Sequence, residues 1–489
     1  MALKAVVAGS GIGGLAAAIR LSAKGYSVEV FEKNSYPGGK LSAFEKGGYA
    51  FDAGPSLFTQ PGNIRELFDL AGKSIDSYFS YRSVPVSNNY FFEGGKMVRA
   101  WASIDKFSEE LENQLGEPAE NLRSYINDSA SLYHDIGTIF LNDSLHRAGT
   151  WLSPRIIKAI KGLKLSYLTS TLHQYNTSRF QTPEAVQIFN RFATYNGSNP
   201  YQTPAMLSLI PHLEINEGTY YPTGGMISIT GALFKLATDL GVRFHFNNAV
   251  EEILHENRKI TGVKVAGEKI SADAVVSNID VYYTYKNLLK DSLSASRVLK
   301  QERSSSAYIF YWGIQSTFPE LDLHNIFFSK DYLTEFEGIF KTGQITDDPT
   351  IYINVTSKME SRLAPDGCEN WFVMVNTPAH RGQNWEQLRP VIRNAVTKKL
   401  SRMLGKNIEP LIQVEDTLDP LTIQEKTSSY MGSLYGTSSN SKFAAFLRHP
   451  NFSRKISGLY FCGGSVHPGG GIPLCLKSAK IACDQILSV

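Results

Sequence analysis

Cysteine is scarce in this chain: Cys368, Cys462, Cys475 and Cys483 are all there is, with no CxxC spacing and no histidine cluster nearby. That spacing supports neither a metal site nor a disulfide framework, and it makes the cytosol the expected setting. No apolar run reaches 18 residues, and no charged leader or cleavage pattern precedes the first strand. Neither a spanning helix nor a signal peptide is expected. Charge is nearly balanced, 49 Lys+Arg against 46 Asp+Glu, so nothing global draws the chain to nucleic acid. Internal repeats and low-complexity linkers are also missing. What is plentiful is length and aromatic surface. The 489 residues predict two or three domains with room for a buried cofactor, and 27 Phe with 24 Tyr exceed the needs of a small polar substrate.

The stretch from Lys4 to Gly39 specifies a large bound molecule. Ala5-Val6-Val7-Ala8 is a short apolar strand, followed at once by Gly9-Ser10-Gly11-Ile12-Gly13-Gly14 and a helix expected over Leu15–Lys24. Glycines at the first, third and sixth positions form the dinucleotide fingerprint. Gly9 permits the tight turn, Gly11 admits a pyrophosphate, and Gly14 lets the helix pack on the strand. The phosphates then meet the free N–H groups of a helix N-terminus. Ser27–Phe31 reads as a second strand, and Glu32, 21 residues after Gly11, is placed to accept hydroxyls of an unphosphorylated ribose. A second glycine pair, Pro37-Gly38-Gly39-Lys40-Leu41, and then Asp52-Ala53-Gly54-Pro55-Ser56 suit a longer, two-ended cofactor. The glycine rule alone does not separate FAD from NAD.

Further along, a helix is expected around Asn63–Ala71 and short strands around Ser83–Val86 and Tyr90–Phe92. Helical signals dominate from Ile104 to about His212. Within them, forty residues between Asp143 and Glu184 hold no acid, but Arg147, Arg155, Lys158, Lys161, Lys164 and Arg179 alternate with Trp151, Leu152, Ile156, Ile157, Ile160, Leu163, Leu165 and Tyr167. That is a basic amphipathic stretch, suited to a bilayer interface or to packing on the body of the protein. Nucleotide-domain character returns with Tyr221-Pro222-Thr223-Gly224-Gly225-Met226, a helix over Ile227–Leu240, and strands over Glu251–Leu254, Thr261–Val265 and Lys269–Val276. Ala307–Ile314, Thr350–Val355 and Trp371–Asn376 read as strands of a second sheet able to wall a substrate pocket, with a helix around Asn384–Leu404.

The C-terminus repeats the opening theme: a strand near Gly458–Phe461, the glycine turn Gly463-Gly464-Ser465-Val466-His467-Pro468-Gly469-Gly470-Gly471-Ile472-Pro473, and a helix from Leu474 to about Leu487. A helix N-terminus aimed at a flavin would stabilise the charge of its reduced form. His467 is the one candidate acid or base there, although a lone histidine in a glycine turn is more often structural.

These motifs together resemble the bacterial-type carotenoid desaturases. The resemblance runs over nearly the whole chain and rests on the fingerprint with Glu32, Gly38-Gly39-Lys40, Asp52-Ala53-Gly54-Pro55, Tyr195-Asn196-Gly197 with Pro200, Tyr221-Pro222 with Gly224-Gly225-Met226, Ser277-Asn278-Ile279-Asp280, and His467-Pro468-Gly469. Val466, Gly470 and Leu474-Cys475-Leu476 depart from the phytoene desaturase pattern and are more similar to the hydroxycarotenoid 3,4-desaturase branch.

The resemblance implies an α/β fold: a Rossmann-like FAD-binding domain (residues 1–80, 216–290 and 445–489), a discontinuous mixed-sheet substrate domain (81–105 and 291–444), and a helical, membrane-facing insertion (106–215). It implies FAD-dependent removal of two hydrogens from a carotenoid, with 3,4-desaturation of a 1-hydroxycarotenoid expected. A phytoene desaturase, a redox-neutral carotenoid isomerase and a non-catalytic prenyl-binding escort protein are the alternatives. Expected cofactor contacts are Gly9, Gly11, Ile12, Gly13, Gly14, Glu32 and Lys33, then Gly39, Lys40, Leu41, Gly54, Pro55 and Ser56, with Val250, Gly464, Ser465, Gly471 and Ile472 from the later segments. No metal or nucleic acid is expected, and the lipid-borne substrate implies peripheral association with a membrane. No protein base beyond the candidate His467 is nameable.

Overall fold

A computed structural model describes residues 2–154, 156–157, 159, 163–441 and 448–487. Its centre is a five-stranded parallel sheet in the order Leu459–Phe461, Ala274–Ser277, Lys4–Ala8, Ser27–Phe31, Arg243–His245. Ala5, Val6, Val7 and Ala8 are all buried because both faces of this sheet are covered. Strand alternation divides them. Ala5 and Val7 join the core made with the helices Ile12–Ser22, Ile227–Asp239 and Ile472–Leu487. Val6 and Ala8 pack toward the antiparallel meander of Val250–Glu256, Lys259–Val265 and Glu268–Ser271. At Gly14 an added Cβ would stand 2.1 Å from the Gly9 carbonyl oxygen, so the close helix–strand approach expected of the third glycine is present.

The second sheet has seven strands, ordered Ile412–Leu418, Ser306–Ile314, Glu369–Thr377, Ile351–Asn354, His324–Phe327, Val86–Phe91, Met97–Trp101. All its pairings are antiparallel except His324–Phe327 with Val86–Phe91. Along Ser306–Ile314 the side chains again alternate. Tyr308, Phe310, Trp312 and Ile314 pack with Trp385, Ile392, Val396 and Leu400 of the helix Trp385–Met403. Ala307, Ile309 and Tyr311 face the other way, toward Tyr49 and Phe51.

The helical region contains Ile104–Leu115, Ala119–Leu132, Leu172–Arg179 and Pro183–Asn190. Its helix starts are capped by Ser103, Thr171 and Thr182, the second in a capping box with Gln174. Buried Glu117 accepts the backbone N–H groups of Gln181 and Thr182 at 2.9 and 2.8 Å, fixing the turn between the last two helices.

Two expectations are corrected. The run Lys269–Val276 is not one strand: Glu268–Ser271 closes the meander and Ala274–Ser277 enters the parallel sheet. The chain changes sheets at Asp273, which is clamped to Lys4 in both directions: its N–H donates to the Lys4 carbonyl and its carboxylate accepts the Lys4 N–H. The basic stretch is not one amphipathic helix either. Short helices Ala148–Trp151 and Ser166–Thr169 precede Leu172–Arg179, and two of its cations are committed to the body. Arg179 pairs with Asp128 at 2.8 Å, while Arg147 bonds Gln485 and stacks on Phe452. Arg155, Lys158, Ile160 and Lys161 lie outside the described residues. Among the described residues no helix is long and apolar enough to cross a membrane.

Candidate functional site: a glycine cradle opening on an apolar chamber

One cavity of about 1440 Å³ runs from the parallel sheet to the inner face of the seven-stranded sheet. Gly9, Gly11, Ile12, Gly13, Glu32, Lys33, Gly39, Lys40, Leu41, Gly54, Pro55, Ser56, Val250, Gly464, Ser465, Gly471 and Ile472 all line it. Gly14 does not; it serves the helix–strand contact.

The first end is built by backbone crossing backbone. Gly11 forms a bridge with Gly38, whose N–H donates to the Ser10 carbonyl. A Cβ on Gly39 would lie 3.3 Å from Gly11 Cα, and one on Gly54 would lie 1.8 Å from the Lys40 carbonyl oxygen. Side chains on Gly11, Gly13 or Gly463 would each strike the Asn278 amide, at 2.6, 2.7 and 2.6 Å. Asn278 therefore joins the first and last glycine turns. Sequence reasoning named the run Ser277-Asn278-Ile279-Asp280 but left Asn278 out of the site, and its position just past a buried strand was the available signal.

Glu32 is 5% exposed. Its Oε2 accepts the Ser10 N–H and hydroxyl, and its Oε1 accepts the Asn34 N–H. Asp52 accepts the N–H groups of Met226 and Ile227 at 2.9 and 3.1 Å, holding the start of the helix Ile227–Asp239 against the cavity. Burial pushes that carboxyl up to about 6. Lys40 donates to the Leu434 and Ser433 carbonyls at 2.8 and 3.3 Å, and burial lowers its ammonium to about 8. Ser465 turns its hydroxyl to the N–H of Val281.

The opposite end is mainly apolar, with Ile309, Tyr311, Ile326, Phe372 and Met374 on its wall. Ser56 points there too: its hydroxyl meets that of Tyr352 at 2.7 Å, which meets His324 Nδ1 at 2.8 Å. Burial holds His324 neutral, near 3. Arg191, Thr194, Tyr195 and Asn88 add further polar atoms, as do Tyr332, Thr350, Asn376 and Tyr435.

His467 is not on the cavity wall. Its Nε2 donates to the Asp143 carbonyl at 3.0 Å, its ring lies against His146, and burial lowers it to about 4. This is the geometry of a buried structural histidine.

The arrangement fits a flavin dinucleotide. Backbone without Cβ atoms leaves space for a pyrophosphate at a helix N-terminus, a buried carboxylate stands at the ribose position, and an apolar chamber continues from the cradle. Comparison with known proteins agrees. The family model described as flavin containing amine oxidoreductase matches residues 12–487. The chain is 50% identical over 483 residues to a 1-hydroxycarotenoid 3,4-desaturase of Flavobacterium sp. (strain P99-3), covering 99% of each. It is 32% identical to a 4,4'-diapolycopene oxygenase of Methylomonas sp., covering 99% of this chain and 98% of that protein. Among solved structures, an oxidoreductase from Methanosarcina mazei superposes with a TM-score of 0.64 at 17% identity over 100% of both chains, a likeness of fold. With the cradle, the buried acid and these matches in place, the chain belongs to the flavin containing amine oxidoreductase family and is an FAD-dependent oxidoreductase.

Proposed function

We propose that this protein is a carotenoid desaturase that introduces the 3,4 double bond of a 1-hydroxylated carotenoid. The observation that carries the proposal is the 50% identity, end to end, with a 1-hydroxycarotenoid 3,4-desaturase. The cavity supports it: a large chamber with mainly apolar walls suits a polyene.

Residues 1–80, 216–290 and 445–489 are assigned to cofactor binding, 81–105 and 291–444 to the polyene, and 106–215 to the membrane face, with Arg191, Thr194 and Tyr195 of this last segment also lining the chamber. When bound, FAD supplies the two-electron acceptor for the hydride removed from the substrate. Gly9, Gly11, Gly13, Gly39 and Gly54 would hold the dinucleotide by backbone approach, with Glu32 on its ribose. Ile309, Ile326, Phe372 and Met374 hold the polyene by shape and keep water from the reacting bond. His324 is neutral and tied to Tyr352, so it adds no charge beside a carbon that becomes electron-poor.

A polyene is drawn from a bilayer, and the protein would reach it as a peripheral membrane protein on the cytoplasmic side. Trp151, Leu152, Ile157 and Leu165 support this: they are 39, 75, 44 and 71% exposed, a concentration of large apolar side chains beside exposed Lys164.

Purified protein incubated in detergent with a 1-hydroxycarotenoid and, separately, with phytoene tests the proposal. A product lighter by two hydrogens and shifted to longer wavelength is expected from the first and little change from the second. Unchanged mass with a shifted spectrum would replace desaturation by isomerisation. Conversion of phytoene alone would move the protein to the phytoene branch.

A further inference from the structure

The chamber wall carries polar groups that a hydrocarbon would leave unused, and Arg191 is the charged one among them at this end. Arg191 is 8% exposed, lies on the cavity wall, and belongs to the turn Arg191–Asn196 that follows the helix Pro183–Asn190. Its Nη2 donates to the Tyr90 hydroxyl at 2.9 Å and to both oxygens of Glu214 at 3.2 and 3.3 Å. Glu214 is 2% exposed and is satisfied by Asn88 and the Tyr195 hydroxyl as well. The guanidinium is not satisfied in the same way. Nη1 has one contact, with Tyr195 at 3.4 Å, and so keeps donor capacity; Nε has no partner among the described residues but is sealed from the cavity, which leaves Nη1 as the donor a ligand could meet.

Placing an ion pair in an apolar wall is costly, and well-packed hydrophobic residues would commonly serve stability as well or better. Holding it with donor capacity to spare makes sense if a ligand atom completes it. Three features define that atom. Arginine only donates, so the atom is an acceptor. Glu214 already balances the charge, so a carboxylate or phosphate is not called for and a neutral oxygen suffices. The rings of Tyr90, Phe192 and Tyr195 surround the guanidinium at 5.4, 4.8 and 5.3 Å, so the carbon bearing that oxygen enters apolar surroundings. Tyr352 competes poorly for the role, because its hydroxyl is already held by Ser56 and His324.

Building on the desaturase reading above, we propose that Arg191, braced by Glu214, is the alcohol-binding subsite of the chamber. It receives the substrate's hydroxyl oxygen and so sets how deep the polyene enters and which bond reaches the cofactor. Arg191 is a specificity residue under this proposal and takes no part in hydrogen removal.

The test compares kcat/KM for two substrates, a 1-hydroxycarotenoid and the same polyene with hydrogen in place of the hydroxyl, on flavin-loaded parent, Arg191→Met, and the double variant Arg191→Met/Glu214→Gln. The double variant guards against misfolding caused by an unpaired buried carboxylate. The parent is expected to favour the hydroxylated compound by at least about 10²-fold, since a site built to bond a hydroxyl rejects the analogue lacking it. Both variants should bring that ratio below about 10, mainly by losing activity on the hydroxylated compound, with flavin absorbance per protein unchanged. The parent's ratio persisting in a flavin-loaded variant overturns the subsite while leaving the desaturase reading standing. Equal use of both compounds by the parent overturns it too. A parent that turns over neither compound defeats the desaturase reading itself, and the subsite with it.

Discussion

Glu32 is bonded twice to Ser10, through one carboxylate oxygen that accepts both its N–H, at 2.8 Å, and its hydroxyl, at 2.9 Å. The acid expected to hold the ribose is thereby tied to the middle of the glycine turn expected to hold the phosphates, so one site element positions the other before any ligand arrives. Glu32→Ala is expected to weaken FAD by about 2 to 3 kcal/mol, the scale of two charge-assisted hydrogen bonds, and to loosen the turn as well. Flavin titration followed by fluorescence checks this; unchanged affinity would place the ribose contact elsewhere.

Two glycines three residues apart in the fingerprint, Gly11 and Gly14, should fail differently. Gly11→Val puts its side chain against Asn278 and into the cavity, and the protein should fold but purify without flavin. Gly14→Ala drives a Cβ to 2.1 Å from the Gly9 carbonyl and should lower stability whether or not flavin is present. Thermal unfolding of the flavin-free forms separates the two, and equal melting of both variants would contradict the division of roles.

Much of this was legible from sequence because each signal was local. Ser27–Phe31 falls where its pattern puts it, and the strands near Ala307–Ile314 and Trp371–Asn376 shift by a residue or two at their ends. His324–Phe327 and Ile412–Leu418 were missed: the first is four residues long with polar His324 and Asn325 buried by side-chain bonding, and the second is polar and half exposed. Arg191 was missed as well. An arginine after an apolar helix carries no one-dimensional mark of burial, and its partner Glu214 lies 23 residues on.

Lys40 gives a pH signature. Its folded value, near 8, lies below the ordinary 10.5, so the unfolded chain binds more protons between those limits and stability rises with pH across them. Flavin-free protein should gain up to about 3 kcal/mol from pH 8 to 10.5 through this group. Lys40→Met should flatten that slope, and bound FAD should reduce it, because nearby phosphate favours the ammonium. Urea midpoints across the range provide the check; an unaltered slope in the variant would exclude Lys40 as its source.

Acid acts in the opposite region. Burial depresses His449 and His467 to about 4, so the stability they contribute is present above 6.5 and lost as pH falls toward 4. His467→Asn should shallow this acid limb and leave turnover per bound flavin within about twofold. A large loss of turnover in flavin-loaded variant, with its pH–rate profile shifted, would restore His467 as an acid or base.

The proposed membrane docking is expected to depend on carbon more than on charge in the described part of the insertion. Replacing Leu152 and Leu165 together by Asn should weaken vesicle binding by about 2 kcal/mol or more. Neutralising Lys158, Lys161 and Lys164 should add about 1 kcal/mol per lysine on anionic vesicles only. Equal sedimentation of parent and variants with vesicles would assign these side chains to the protein surface alone.

The parallel sheet draws its five strands from both ends of the chain: Lys4–Ala8 shares Ala274–Ser277 as a neighbour with Leu459–Phe461. During synthesis the fingerprint emerges well before residue 274, yet Ala274–Ser277 keeps an unpaired edge until the strand Leu459–Phe461 emerges, and the helix Ile472–Leu487 that covers the turn comes later still. Cofactor capture thus waits for the strand Leu459–Phe461 and the helix Ile472–Leu487. Nascent chains stalled before residue 459 should retain no flavin, whereas chains that include the helix Ile472–Leu487 should take it up.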